Sequence, residues 1–203
     1  MQKGTLYIIS APSGAGKTSL IKSVKSKLPD LLVSVSYTTR QIRRKEVPGK
    51  DYNFITEAEF KKGIDRGRWL EWALVYGNYY GTSAGLIIRS LAAGRKILLE
   101  IDVQGAVQIM DKYPRANTIF IMPPSLEILK ERLAKRGSDS LESITKRLQN
   151  VENEIRQNHL YRHLIINDHF ETAAEQLLKI LKPISKSSGE KLSLRVVSRQ
   201  RNK

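Results

Sequence analysis

Residues 5–20 read "TLYIISAPSGAGKTSL": a β-branched apolar run, a Gly/Ser turn, then the start of a helical pattern. A strand that turns through such a loop into a helix gathers backbone N–H groups and a helix N-terminus on one side, which is a cradle for phosphate. The full pattern of such loops is Gly, four residues, Gly, Lys, then Ser or Thr. Gly16, Lys17 and Thr18 match it, with Pro12, Ser13, Gly14 and Ala15 between, but Ala11 stands where the first glycine belongs. That residue leaves the strand, where a methyl group is tolerated if φ stays negative. Lysine at position 17 suits the β- and γ-phosphates, and the Thr18 hydroxyl suits Mg2+. The competing reading is a turn that carries a lysine by coincidence. The strand before it and the helix after it favour the cradle.

The remaining apolar runs extend this beginning into a sheet. They are "LLVSVS" (31–36), "KILLEIDV" (96–103), "NTIFIM" (117–122) and "HLIIND" (163–168). Most are continuous rather than alternating, as in strands of a parallel sheet covered on both faces. Helical patterns separate them. Leu20, Ile21, Val24 and Leu28 form one face ended by Pro29; Thr56 and Glu59 form a capping box for a helix to about Gly67; "TSAGLIIRSLAAG" closes at Gly94. Ser125 caps a helix running to Gly137, and "SLESITKRLQNVENEIRQ" and "FETAAEQLLKILK" supply two more. The alternation predicts an α/β three-layer sandwich around a parallel five-stranded sheet. Two segments interrupt it: a turn-rich, aromatic stretch at about 37–84, read as an inserted subdomain, and a basic helical excursion at about 130–150. Residues 184–203 are polar, basic and aperiodic, and read as a flexible tail.

Composition narrows the function classes. The chain of 203 residues is 40% hydrophobic and 27% charged, which suits one soluble core. With no cysteine there are neither disulfides nor thiolate metal sites, which fits a reducing cytoplasm. No run approaches the roughly 20 apolar residues of a membrane span, and the N-terminal run lacks a signal-peptide cleavage site. The net charge of +15 predicts affinity for polyanions such as nucleotides or nucleic acid. His159, His163 and His169 form no metal-ligand or triad pattern and read as surface or helix-end residues.

Seven stretches, in order, give the chain a family resemblance: "SAPSGAGKTSL", "VSYTTRQIRRKEVPGKDYNF", "EWALVYGNYYGTS", "LEIDVQGA", "PPSLEILKERLAKRG", "ESITKRL" and "LIIND". Over roughly residues 4–183 the chain resembles guanylate kinases, of the nucleoside monophosphate kinase class within the P-loop NTPase fold. The resemblance implies a core at about 4–36, 85–129 and 151–183, a GMP-binding insertion at about 37–84, a lid at about 130–150, and transfer of a phosphoryl group from MgATP to GMP or dGMP. A non-catalytic interaction module of the same fold is the alternative, and a nucleic-acid binder a third. The mononucleotide phosphates account for the basic residues at 40–50 and 130–147 but not for those of the tail, whose accessory electrostatic role is left open; no specific nucleic acid and no membrane is expected as partner. A homo-oligomer is left open.

The resemblance also assigns residues. Arg40, Arg43, Tyr52 and Tyr80 match those that hold the GMP phosphate, as two guanidinium forks and two phenols suit a dianion. Read alone, Arg40 and Arg43 are a solvated basic loop, and Tyr80 could serve packing. Glu71 holds the guanine-reading place, with Ser36 and Thr82 as hydroxyls at the base. A carboxylate accepts from guanine's adjacent N1–H and N2–H2 donors, whereas adenine turns an acceptor toward it. Read alone, Glu71 is an ordinary exposed glutamate. Glu100 matches a position near GMP that is often Asp, and Asp102 is the better candidate for the Mg2+ shell through water; the other reading of Asp102 is a strand-end carboxylate satisfied by backbone. Arg136 and Arg147 match lid residues that clamp ATP phosphates, with Arg132 a weaker match. Asn167 and Asp168 match the stretch beside adenine.

Overall fold

A computed structural model of the chain describes residues 4–135 and 151–182. Its core begins with Thr5–Ser10 (β1), the phosphate-loop segment, and Lys17–Lys25 (α1). Leu31–Val33 (β2) follows. Beyond the insertion come Ala84–Ala92 (α3), Lys96–Glu100, Val103–Lys112 (α4), Asn117–Met122 and Leu126–Lys135 (α5). The described chain resumes in a helix at 151–156 (α6), passes a 3-10 turn at Gln157–Leu160, and ends with strand His163–Ile166 and helix Phe170–Leu181 (α7). The insertion holds Tyr37–Thr38 (β3), Asn53–Phe54 (β4), Glu57–Asp65 (α2), Trp69–Val75 (β5) and Asn78–Ser83 (β6). Lys96–Glu100, Asn117–Met122 and His163–Ile166 are therefore β7, β8 and β9.

The core sheet has the order β2-β7-β1-β8-β9, and every pairing in it is parallel. The continuous apolar runs are explained by cover on both faces. Tyr7, Ile9, Leu98 and Ile121 pack against Leu20 and Val24 of α1 and Leu177 of α7, while Leu6, Ile8, Leu99 and Phe120 pack against Ile87 of α3 and Ala106 and Ile109 of α4. With β1 central, its loop emerges beside the carboxyl ends of β7 and β8. Ligands of open α/β sheets collect at this edge.

Three predicted strands stop early. β2 ends at Val33, β7 at Glu100 and β9 at Ile166, so Ser36, Asp102 and Asn167 stand on loops past the strand ends. The run 96–103 concealed a boundary, since Asp102 caps α4 by accepting from Gly105 N–H at 2.9 Å. Helix α4 has no counterpart among the sequence-based expectations, because its apolar residues continue those of β7 without a break.

The insertion is a second sheet of order β4-β3-β6-β5. Its Thr56–Glu59 capping box forms as expected. The aromatic stretch is a hairpin of β5 and β6, turning at Tyr76 and Gly77 with φ of 49 and 77. The ring of Phe60 from α2 stacks on Trp69 at 4.5 Å and on Tyr79 at 5.1 Å, which fixes helix to hairpin. Residues 136–150 of the expected lid, including Arg136 and Arg147, and the expected tail at 184–203 lie outside the described residues.

Candidate active site: a phosphate loop facing a buried carboxylate

The phosphate loop is built for its task and braced from behind. Gly14 and Gly16 have φ of 93 and 91, in the left-handed region. Tyr76 is the one non-glycine with positive φ among the described residues, so Ala11 keeps an ordinary backbone and its methyl carries no strain. Gly16 serves as N-cap of α1 without a side-chain cap, and no acidic residue lies in the first turn. The helix N-terminus is therefore left for an anion. Asn167 is buried and donates from Nδ2 to the Ala15 carbonyl at 2.7 Å. A Cβ on Gly16 would collide with that same amide. Asn167 thus braces the loop through its side chain, and its own carbonyl accepts from Arg132 at 3.1 Å. Asp168 is exposed and lies 3.7 Å from His169.

Lys17 Nζ pairs with Glu100 Oε1 at 2.9 Å, and the Thr18 hydroxyl donates to the same oxygen. Burial alone would raise the Glu100 carboxyl, but the Lys17 ammonium and the Thr18 hydroxyl outweigh it and hold the group below its usual range. Glu100 therefore joins the donor loop as well as the acceptor side expected of it. Asp102 is pushed up by burial, against the pull of backbone N–H groups and of Lys17. Its cap on α4 matches the backbone-satisfied reading for one oxygen, Oδ1.

Opposite this loop the insertion presents a second cluster. Glu71 is 3% exposed, which corrects its reading as a surface glutamate. Thr82, fully buried, donates its hydroxyl to Glu71 Oε1. Burial pushes the Glu71 carboxyl up to about 7, with the Asp102 charge adding to the rise and Thr82 and Lys112 opposing it. Tyr52 and Tyr80 meet edge-on at 5.9 Å. The Tyr52 phenol is pushed up to about 12 by burial and stays a donor at neutral pH. Arg40 lies over the Tyr52 ring at 5.5 Å and pairs with Glu46 at 2.7 Å; Glu46 also accepts from the Arg43 N–H at 2.9 Å. One glutamate thus holds the Arg40 guanidinium and the Arg43 backbone.

The two clusters share one cleft. A hollow of about 230 Å³ is lined on one side by Ala11, Ser13, Lys17 and Asp102, and on the other by Ser36, Arg43, Tyr52, Glu71 and Tyr80, with Glu100 between. An adjoining hollow of about 930 Å³ adds Thr18 and Arg40 and shares Ser36, Arg43, Tyr52, Tyr80 and Glu100. Arg132, Asn167 and Asp168 do not line either. Glu154 of α6 does line the first, and no sequence signal marked it. Its carboxyl is pushed up to about 7 by burial and by the Asp102 charge, with Lys17 opposing. One of two acids in "NVENEI", it looks like any solvated helix residue.

A P-loop beside one carboxylate-and-arginine pocket defines a class: a phosphotransferase that brings a donor phosphate to a small anionic acceptor. Relatives sharpen this. The family model for guanylate kinase matches residues 3–183. A guanylate kinase of Nitrosospira multiformis is 48% identical over 178 residues, covering 88% of this chain and 85% of its own length. One from Haemophilus ducreyi is 49% identical over 180 residues, covering 88% and 87%. The crystal structure of guanylate kinase from Anaplasma phagocytophilum superposes with a TM-score of 0.73 at 32% identity, over 89% of this chain and 85% of that one. The chain belongs to the guanylate kinase family, an enzyme family of ATP:GMP phosphotransferases.

Proposed function

We propose that the chain transfers the γ-phosphoryl group of ATP directly to the phosphate of GMP or dGMP, giving ADP and the nucleoside diphosphate for purine nucleotide metabolism in the cytoplasm. The observation that carries this reading is the buried Glu71 carboxylate in the cleft that also holds Lys17. Glu71 accepts from guanine N1–H and N2–H2, and Ser36 and Thr82 support the base. Arg40, Arg43, Tyr52 and Tyr80 hold the GMP phosphate. The loop from Ala11 to Thr18 holds the donor phosphates through backbone N–H groups and Lys17. Arg136 and Arg147 from the lid clamp the moving group, and Arg132 with Asn167 braces the donor side. Residues about 37–84 act as the GMP-binding subdomain, and about 130–150 as the lid.

A hydroxyl and carboxylates at the end of β7 are hard oxygen donors, which fit Mg2+. Thr18 would hold the ion directly and Asp102 through water. Bound there, it neutralises charge on the β- and γ-oxygens. The rest is positioning: the two cradles set acceptor oxygen and γ-phosphorus in line, and closure of the cleft excludes water. No covalent nucleophile takes part. The non-catalytic alternative has less support, because Lys17, Thr18, Arg40, Arg43 and Glu71 all remain.

An ATP assay coupled to ADP formation, run with GMP, dGMP, AMP and UMP, tests the reading. GMP should lead, dGMP follow, and AMP and UMP give rates near background. Equal rates with AMP would remove the guanine assignment.

A further inference from the structure

Helix α4 meets the insertion along one face, and that contact brackets Glu71. Gly105 comes first. A Cβ there would strike Glu71 Oε2, so the carboxyl lies directly on the helix backbone. One turn on, Gln108 Nε2 donates to the Trp72 carbonyl at 2.7 Å, and Gln108 Oε1 accepts from the Trp72 N–H at 3.3 Å. A side-chain amide here makes both bonds that a neighbouring strand would make to β5, an edge strand in the order β4-β3-β6-β5. One further turn on, Lys112 Nζ donates to the Leu70 carbonyl at 2.6 Å. The residues before and after Glu71 are therefore both tied to α4.

Strand β5 also departs from regular pairing just before Glu71. The register with β6 shifts between Trp69 and Glu71. Bulges re-aim side chains and weaken the local ladder, so this short stretch depends on supports from outside its own sheet. Helix α4 supplies them, and its N-cap is Asp102, on the donor wall of the cleft. A helix is stiff over three turns. It carries the spacing between the donor wall and the Glu71 carboxyl.

We propose that Gln108, seconded by Lys112 at the bulge itself, is a positioning residue for guanine recognition: it clamps the edge of β5 just past the bulge to α4 and so fixes Glu71 against the base. Gln108 touches no nucleotide in this proposal. It acts through the backbone on the side of Trp72, and the contact sets where the insertion pivots on the core. Strands β3 and β4, which flank the phosphate-holding residues, lie farther from α4 in the sheet.

The proposal rests on Glu71 as the guanine reader, and the test separates the two. In the full-length chain, Gln108→Leu keeps the volume and removes both bonds. Loss of about 1.4 kcal/mol of positioning is about tenfold, so KM for GMP should rise about tenfold. KM for ATP should change less than about twofold and the melting temperature should stay near that of the parent. Gln108→Glu keeps the acceptor and loses the donor, and should fall between. On a Glu71→Gln background, Gln108→Leu should add nothing to KM for GMP, because the group it positions has already been altered. If Gln108→Leu does not fold, Lys112→Met reads the same division between the two KM values. An unchanged KM for GMP in a folded Gln108→Leu protein would overturn the proposal, as would equal rises for GMP and ATP. If Glu71→Gln itself leaves GMP preference intact, the guanine assignment fails first.

Discussion

Replacing Glu71 by glutamine is expected to raise KM for GMP by about two orders of magnitude, since a buried acceptor is converted into one that faces guanine N1–H with a donor of its own. KM for ATP should hardly move. The preference for GMP over AMP should fall with it, because an amide can offer adenine what the carboxylate denies. Competitive kinetics with both acceptors in one reaction reads this ratio directly, and an unchanged ratio would free Glu71 of its role.

The same residue gives the pH dependence its sign. The Glu71 carboxyl titrates at about 7 in the free protein because burial disfavours its charge. Guanine needs the ionised form, so KM for GMP should rise as pH falls through 7, and binding below 7 should release a proton. Stability runs the opposite way. A carboxyl raised above its unfolded value favours the fold at low pH, and that contribution is lost as pH climbs from the unfolded value toward 7. Glu71→Gln should flatten the KM profile and reduce the stability slope in that window, with Glu154, also raised to about 7, keeping its own share of the slope.

Lys17→Ala is expected to lower kcat by about 10²–10³-fold, the range for removing one preorganised donor from a transition state that gathers negative charge. The mutation also strips Glu100 of its 2.9 Å partner. An acid that Lys17 held down would then rise, weakening the wall beside Thr18. Arginine at position 17 should not restore the rate, because a planar fork cannot take the place of a compact ammonium inside the loop. A near-parental kcat for Lys17→Ala, measured at saturating ATP and GMP, would mean that the loop is not the donor cradle.

Much of the core was legible because its signals are local. Continuous runs specify covered strands, and Gly16-Lys17-Thr18 after β1 specifies the loop whatever stands at position 11. Boundaries were less legible where two elements share one apolar run. Ile101 and Val103 continue β7 in composition, yet Asp102 ends the strand by capping α4, and only the Gly105 N–H bond reveals it. The insertion was legible as an interruption but not as a sheet, because β3 and β4 are two residues each and draw their partners from far along the chain. Sites divide in the same way. Lys17 and Thr18 carry their roles in the motif. Glu71 does not, since its burial depends on Thr82 and on Gly105 of another element. Glu46, Gln108 and Glu154 left no trace in the sequence, for each acts only through a partner that folding brings to it.

The most direct measurement follows the phosphoryl group itself. The chain, incubated with ATP labelled at the γ-phosphate, GMP and Mg2+, should place the label in GDP as ATP is converted to ADP in equal amount. Omitting GMP should leave the label on ATP. Label found only as inorganic phosphate, or ATP left intact while GMP is present, would contradict the account of two facing cradles built for direct transfer.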